Sequence, residues 1–136
     1  MKVLDTNVLV RLLLADDKAQ FAAAKKLLAQ AQQFSSSITV MQELVWVLEA
    51  HDYTVKEVQH GLNLLLNLPN FTPEHIAELK QALVWYGDGM DFADALHLAL
   101  RGSASQLLTF DKGFIKLGKK LGLSTQTVDW VSAVAT

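Results

Sequence analysis

The sequence predicts an α/β sandwich with a mainly parallel sheet and helices on both faces. Three observations predict it. Short apolar segments of strand character alternate with longer amphipathic ones along the chain. The longer segments open on helix-capping residues. An aspartate directly follows two of the short segments, at Asp5 and Asp111. Open α/β sheets present their functional groups at such strand ends.

The elements follow in order. Residues 2–4 read as a short buried strand that stops at Asp5. Residues 8–14 are apolar apart from Arg11 and open a helix behind Thr6 and Asn7. Asp16 and Asp17 precede Phe21, Ala24, Leu27 and Leu28, an apolar stripe at helical spacing. Residues 34–38 form a second short strand, weakened by three serines. Thr39 and Gln42 make a capping-box pattern for a helix to about Ala50, and Thr54 and Glu57 repeat it for the next helix. Thr72 and Pro73 have the form of an N-cap and a first-turn proline, for a helix to about Trp85. Asp91 opens a helix through Leu100, with Gly102 as its C-cap. Residues 106–109 are a strand, a short lysine-rich helix follows Asp111, and residues 125–128 are the last strand. With no internal repeat, low-complexity stretch or linker, residues 1–136 read as one domain.

Composition narrows the function. Hydrophobic residues make up 51% of the chain and charged residues 19%, enough apolar material for a core without a metal or disulfide staple. The lack of cysteine excludes disulfide frameworks, thiolate zinc sites and cysteine nucleophiles. The apolar stretch 8–15 contains Arg11 and has no small-residue cleavage site after it, so it does not read as a signal peptide. No apolar run reaches the ~18 residues that span a bilayer. A soluble cytoplasmic protein is expected. The net charge of −2 gives no global attraction for nucleic acid, so any such binding must be local.

The acidic residues carry the chemistry. Asp5 and Asp111 end corresponding strands, although either alone is equally compatible with capping the following turn. Glu43 falls in the first turn of its helix, one residue after the capping-box position, where a carboxylate suits the helix dipole. Its neighbours Val40, Met41, Leu44, Val45, Val47 and Leu48 are apolar, and a glutamate among them needs a partner or a wet cleft. Asp91 and Asp94 share a helix face. Asp91 reads as the cap, whereas Asp94, between Phe92–Ala93 and Ala95–Leu96, points toward a site.

Four converging carboxylates repel one another unless a cation sits among them. Mg²⁺ or Mn²⁺, as one or two ions, fits a set of oxygen donors alone. Two such ions activate a water and stabilise the leaving oxygen of a phosphodiester. A structural calcium site is the alternative, but no contiguous calcium loop occurs. Asp5-Thr6-Asn7 lacks the second aspartate of an Asp-x-Asp phosphatase. The nucleophile elbow, phosphate-cradling glycine loop and His-Glu-x-x-His pattern are all missing. His51, His60 and His75 read as surface residues, and His97 shares a face with Asp94. Lys112, Lys116, Lys119 and Lys120 follow Asp111 and fall mostly on one helical side; with Arg11 they could hold a phosphate backbone or simply form a solvated face. Trp46 lies on the polar side of an otherwise apolar helix. That suggests a partner surface or a groove, or else packing against the next helix.

In sum the order runs Asp5-Thr6-Asn7-Val8-Leu9, Glu43-Leu44-Val45-Trp46-Val47-Leu48, Asp91-Phe92-Ala93-Asp94-Ala95-Leu96 and Thr109-Phe110-Asp111-Lys112. It resembles the PIN-domain family, in particular the VapC toxins of bacterial type II toxin–antitoxin (VapBC) pairs. The resemblance implies a three-layer α/β/α sandwich around a central parallel sheet and Mg²⁺- or Mn²⁺-dependent cleavage of RNA. Its acidic set maps onto Asp5, Glu43, Asp94 and Asp111, with Asn7 and Thr109 in support and Asp91 at the edge. It also implies a second copy of the chain and a VapB-type antitoxin as partners. Two rivals stand beside this reading. A PIN-like module that binds RNA or protein without cutting would bind metal but leave RNA intact. A phosphorylated receiver domain expects an acidic pair after the first strand, where this chain has a single aspartate.

Overall fold

The computed structural model describes residues 1–131, so the final five residues of the expected domain lie outside the described part. The chain divides into two compact units, Met1–Ala77 and Glu78–Thr136.

The first unit begins with β1 (Lys2–Val3), α1 (Thr6–Leu14), α2 (Lys18–Leu28) and β2 (Phe34–Ser35). It continues with α3 (Ile38–Ala50) and α4 (Val55–Leu66). β1 and β2 are parallel, with Lys2 opposite Phe34 and Val3 opposite Ser35. Phe34 also bridges in parallel to Phe71, using its N–H toward the Asn70 carbonyl and its carbonyl toward the Thr72 N–H. Phe34, Phe71, Leu9, Met41, Leu44 and Leu62 are fully buried in the core. The buried Ser36 hydroxyl donates to the Leu4 carbonyl at 2.7 Å and pins the end of β1.

The second unit holds α5 (Ile76–Gly87, which opens just before the boundary), α6 (Phe92–Leu100), β3 (Leu107–Thr109), α7 (Lys112–Lys120) and β4 (Val128–Trp130). β3 and β4 are again parallel, with Leu107 opposite Val128 and Thr109 opposite Trp130. Leu79, Leu83, Ala95 and Leu98 are buried, and Tyr86 meets Phe92 edge to face at 5.6 Å. Helix α7 approaches β4 closely: a Cβ on Gly118 would stand 3.2 Å from Val128 Cγ1. Every strand pairing is parallel, as expected of this α/β chain.

Four local expectations are corrected. β1 is exposed rather than buried: the side chains of Lys2 and Val3 are left open on the sheet faces, and Leu4, just after it, carries the burial. Helix α3 starts earlier than Thr39. Ser37 is its N-cap and accepts from the Val40 N–H at 3.2 Å, while the Thr39 hydroxyl bonds that of Ser37. Helix α5 starts at Ile76 rather than at Thr72. The Thr72 and Glu74 N–H groups are drawn to the carbonyls of Phe34 and Ser36, and His75 adopts a left-handed φ of 54° before the helix begins. The last strand begins at Val128, because the N–H groups of Thr127 and Val128 close a turn on Ser124. The capping box at Thr54 and Glu57, the Asp17 cap and the Asp91 cap are as expected.

Candidate active site

In the first unit Asp5 links β1 to α1. It occupies the N-cap position with extended backbone, φ −77° and ψ 161°, yet its side chain makes no cap hydrogen bond. The first-turn N–H of Val8 is taken by the Asp5 backbone carbonyl instead. The exposed carboxylate is therefore free of the helix. Beside it the Thr6 hydroxyl is buried without a partner, a costly state for a polar group. Asn7 lines a groove of about 350 Å³ with Val8, Arg11, Gln20, Ala24 and Leu27. Arg11 is held there by Asp16 at 2.7 Å and by Gln20 at 2.6 Å. The Arg11 guanidinium keeps the Asp16 carboxyl below its ordinary range.

Glu43 is exposed on α3. The early start of that helix moves it out of the first turn, which contains no acidic residue. The dipole explanation for this carboxylate is weakened accordingly. Its neighbours Leu44 and Val45 are buried, while Trp46 is 67% exposed, so Trp46 is not packed in the core.

In the second unit two aspartates act on a third. Asp91 caps α6 by accepting from the Asp94 N–H at 3.3 Å. Asp94, half-buried in the first turn, is held above the ordinary aspartate value of 3.8. Burial is the leading cause, followed by the nearby charges of Asp91 and Asp111, while His97 opposes them. Asp94 and His97 line a cleft of about 420 Å³ with Arg101, Leu107, Thr109 and Phe114. Asp111 caps α7, its Oδ1 accepting from the Phe114 N–H at 3.0 Å. The Thr109 hydroxyl accepts the Asp111 N–H at 3.0 Å and fixes the backbone there. Gly113 leaves this carboxylate room, since a Cβ would stand 3.3 Å from Asp111 Oδ1.

The structure thus gathers Asp91, Asp94 and Asp111 in one unit, and Asp5 and Glu43 belong to the other. In neither unit, among the described residues, do three His, Asp or Glu side chains form a group able to hold a metal ion. The donor chemistry around Asp94 nevertheless suits a hard divalent cation: the nearby acids offer oxygen alone, and burial, then their charge, makes Asp94 reluctant to ionise. Sequence reasoning missed Phe110 and Trp130, which meet edge to face at 5.4 Å, 68% and 39% exposed. The available signal was an aromatic residue set between Thr109 and Asp111. Among the described residues no helix is long and apolar enough to cross a membrane.

A family model described as the PIN domain matches residues 2–120 of the chain. No curated protein matches it.

Proposed function

Since this chain belongs to the PIN-domain family, we propose that it is a metal-dependent endoribonuclease and the toxin of a type II toxin–antitoxin pair of the VapBC kind. PIN domains are generally nucleases and typically use divalent metal ions. The observation that carries the reading is the charge gathered at Asp94. This half-buried carboxylate lies beside two others, where a cation would relieve the repulsion.

In this reading Asp5 and Asp94 are the principal ligands of Mg²⁺ or Mn²⁺, with Glu43 and Asp111 contributing directly or through water. When bound, the ion supplies an activated water and stabilises the leaving oxygen of the phosphodiester. The chain's own residues position the rest. Thr109 orients Asp111 through its backbone N–H, Asp91 braces the first turn that carries Asp94, and Asn7 stands two residues after Asp5. Lys112 and Lys116, with Arg11 where its local partners release it, hold the RNA backbone. The exposed Trp46 supports a protein partner, either a second copy in a homodimer or the antitoxin. The site of action is the cytoplasm.

The test is cleavage of a labelled single-stranded RNA by the purified protein in Mg²⁺ or Mn²⁺. Cleavage that EDTA abolishes, and that Asp5→Asn and Asp94→Asn each abolish, is expected. Undiminished cleavage by both variants would overturn the assignment. Expression of the wild-type chain should arrest growth, and Asp5→Asn should relieve the arrest.

A further inference from the structure

One surface of the second unit is unlike the rest of the chain. Phe110 leaves β3 with 68% of its surface exposed, and unlike a singly exposed apolar side chain it is joined to a second exposed aromatic ring. It meets the Trp130 ring of β4 edge to face, at 5.4 Å between centroids and 83° between planes. Lys112 Nζ stands 5.8 Å from the Trp130 centroid, close enough for a cation–π contact. Lys112, Lys116 and Lys119 are spaced four and three apart, so they rise on one face of α7. With Ile115 and Trp130 they line a shallow groove of about 370 Å³.

Charge separates this surface from the remainder. Residues 106–131 hold four lysines and two aspartates, whereas the chain as a whole carries −2. One of those aspartates is Asp111, directly after Phe110. Cations on one side and an open aromatic face on the other complement a strand whose phosphates are charged and whose bases are unstacked. A duplex hides its base faces and offers only the phosphates.

We propose that Phe110, braced by Trp130, and the lysine row Lys112, Lys116 and Lys119 form a platform that holds single-stranded RNA beside Asp111. The proposal rests on the ribonuclease reading for the choice of RNA as ligand. Phe110 supplies the stacking face. Trp130, already engaged by Phe110 and Lys112, holds that face in place. The lysines track the backbone without reading sequence.

The experiment is equilibrium binding of a short labelled oligouridylate, in EDTA so that no metal takes part, with an RNA duplex as the second probe. Wild type should bind the single strand more tightly than the duplex. Phe110→Ala should weaken single-strand binding roughly 5- to 100-fold, the loss of one stacked base. Phe110→Leu, which keeps apolar bulk without the π face, should weaken it as well. Lys116→Ala, on an exposed helix position, should lower the slope of log K against log salt by about 0.7.

Unchanged single-strand binding by both Phe110 variants overturns the proposal. So does an equal loss on single strand and duplex. A Phe110 variant that keeps its RNA affinity but alters self-association marks the patch as a protein interface, which also overturns it. Cleavage in Mg²⁺ or Mn²⁺ is read separately. A wild type that binds through Phe110 but does not cut keeps the platform and removes the ribonuclease reading. A chain that cuts while its Phe110 variants bind normally does the reverse.

Discussion

The chain passes from strand to helix through an aspartate at two places, and the two behave differently. After β3, Asp111 turns its carboxylate onto the Phe114 N–H, and the Thr109 hydroxyl holds its backbone. After β1, Asp5 occupies the same cap position and makes no side-chain cap bond. Asp17 and Asp91 both cap through their side chains, so Asp5 departs from the habit of this chain. The cap position alone does not decide what an aspartate does. A carboxylate that stabilises a helix is partly committed, whereas one that declines the helix keeps both oxygens for other work.

That contrast can be broken most sharply at Asp5. Asp5→Asn should reduce RNA cleavage by at least ~100-fold, the upper range for outer-shell metal partners and hence a floor for a ligand. Its stability in urea should stay within about 0.5 kcal/mol of wild type, because no cap bond is lost. A large fall in stability would mean that Asp5 is structural after all.

The complementary change is Asp111→Ala. Loss of its cap bond should cost about 1 kcal/mol, measured by the urea midpoint, while Asp5→Ala costs distinctly less. Equal losses would erase the distinction between the two strand ends. Thr109→Val should cost about 0.5–1.5 kcal/mol by removing the acceptor for the Asp111 N–H.

The smallest effect belongs to Asp94 in the metal-free protein. Its pKa is raised by burial and by Asp91 and Asp111, so at neutral pH its charge opposes folding. Asp94→Asn should therefore raise the unfolding free energy slightly at neutral pH, by less than about 0.5 kcal/mol, read from the urea midpoint. The advantage should shrink as pH falls through the Asp94 pKa, which lies above 3.8, since wild type then loses the same charge. An advantage that grows in acid would have the wrong sign.

Much of this was legible in the sequence, for local reasons. The Thr54–Glu57 box, the Asp17 and Asp91 caps and the lysine row of α7 depend on side chains three or four residues apart. The failures are of two kinds: Ser37 and Ser124 set the starts of α3 and β4 through partners three or four residues away, and the start of α5 is set by partners distant in sequence. The carbonyls of Phe34 and Ser36 draw residues 72–74 away from a helix that Thr72 and Pro73 would otherwise begin. The same limit hid the platform, because Phe110 and Trp130 are brought together only by the pairing of β3 with β4. Among the acids, spacing singled out Asp91 as a cap. It did not distinguish the free carboxylate of Asp5 from the engaged one of Asp111, since both follow an apolar strand.

The bond from Ser36 to Leu4 has a consequence in time. It joins residues 32 apart, and β1 gains its strand partner only when that long loop closes. A contact of that sequence separation carries a larger loop-closure entropy than the local contacts of the helices within it. Asp5 therefore takes its final position late, after α1 and α2 have had the chance to form. A nascent chain that has not yet released Phe34 and Ser36 from the ribosome has nothing to fix the end of β1. Pulse-labelled hydrogen exchange should accordingly find the Leu4 amide protected after those of α2.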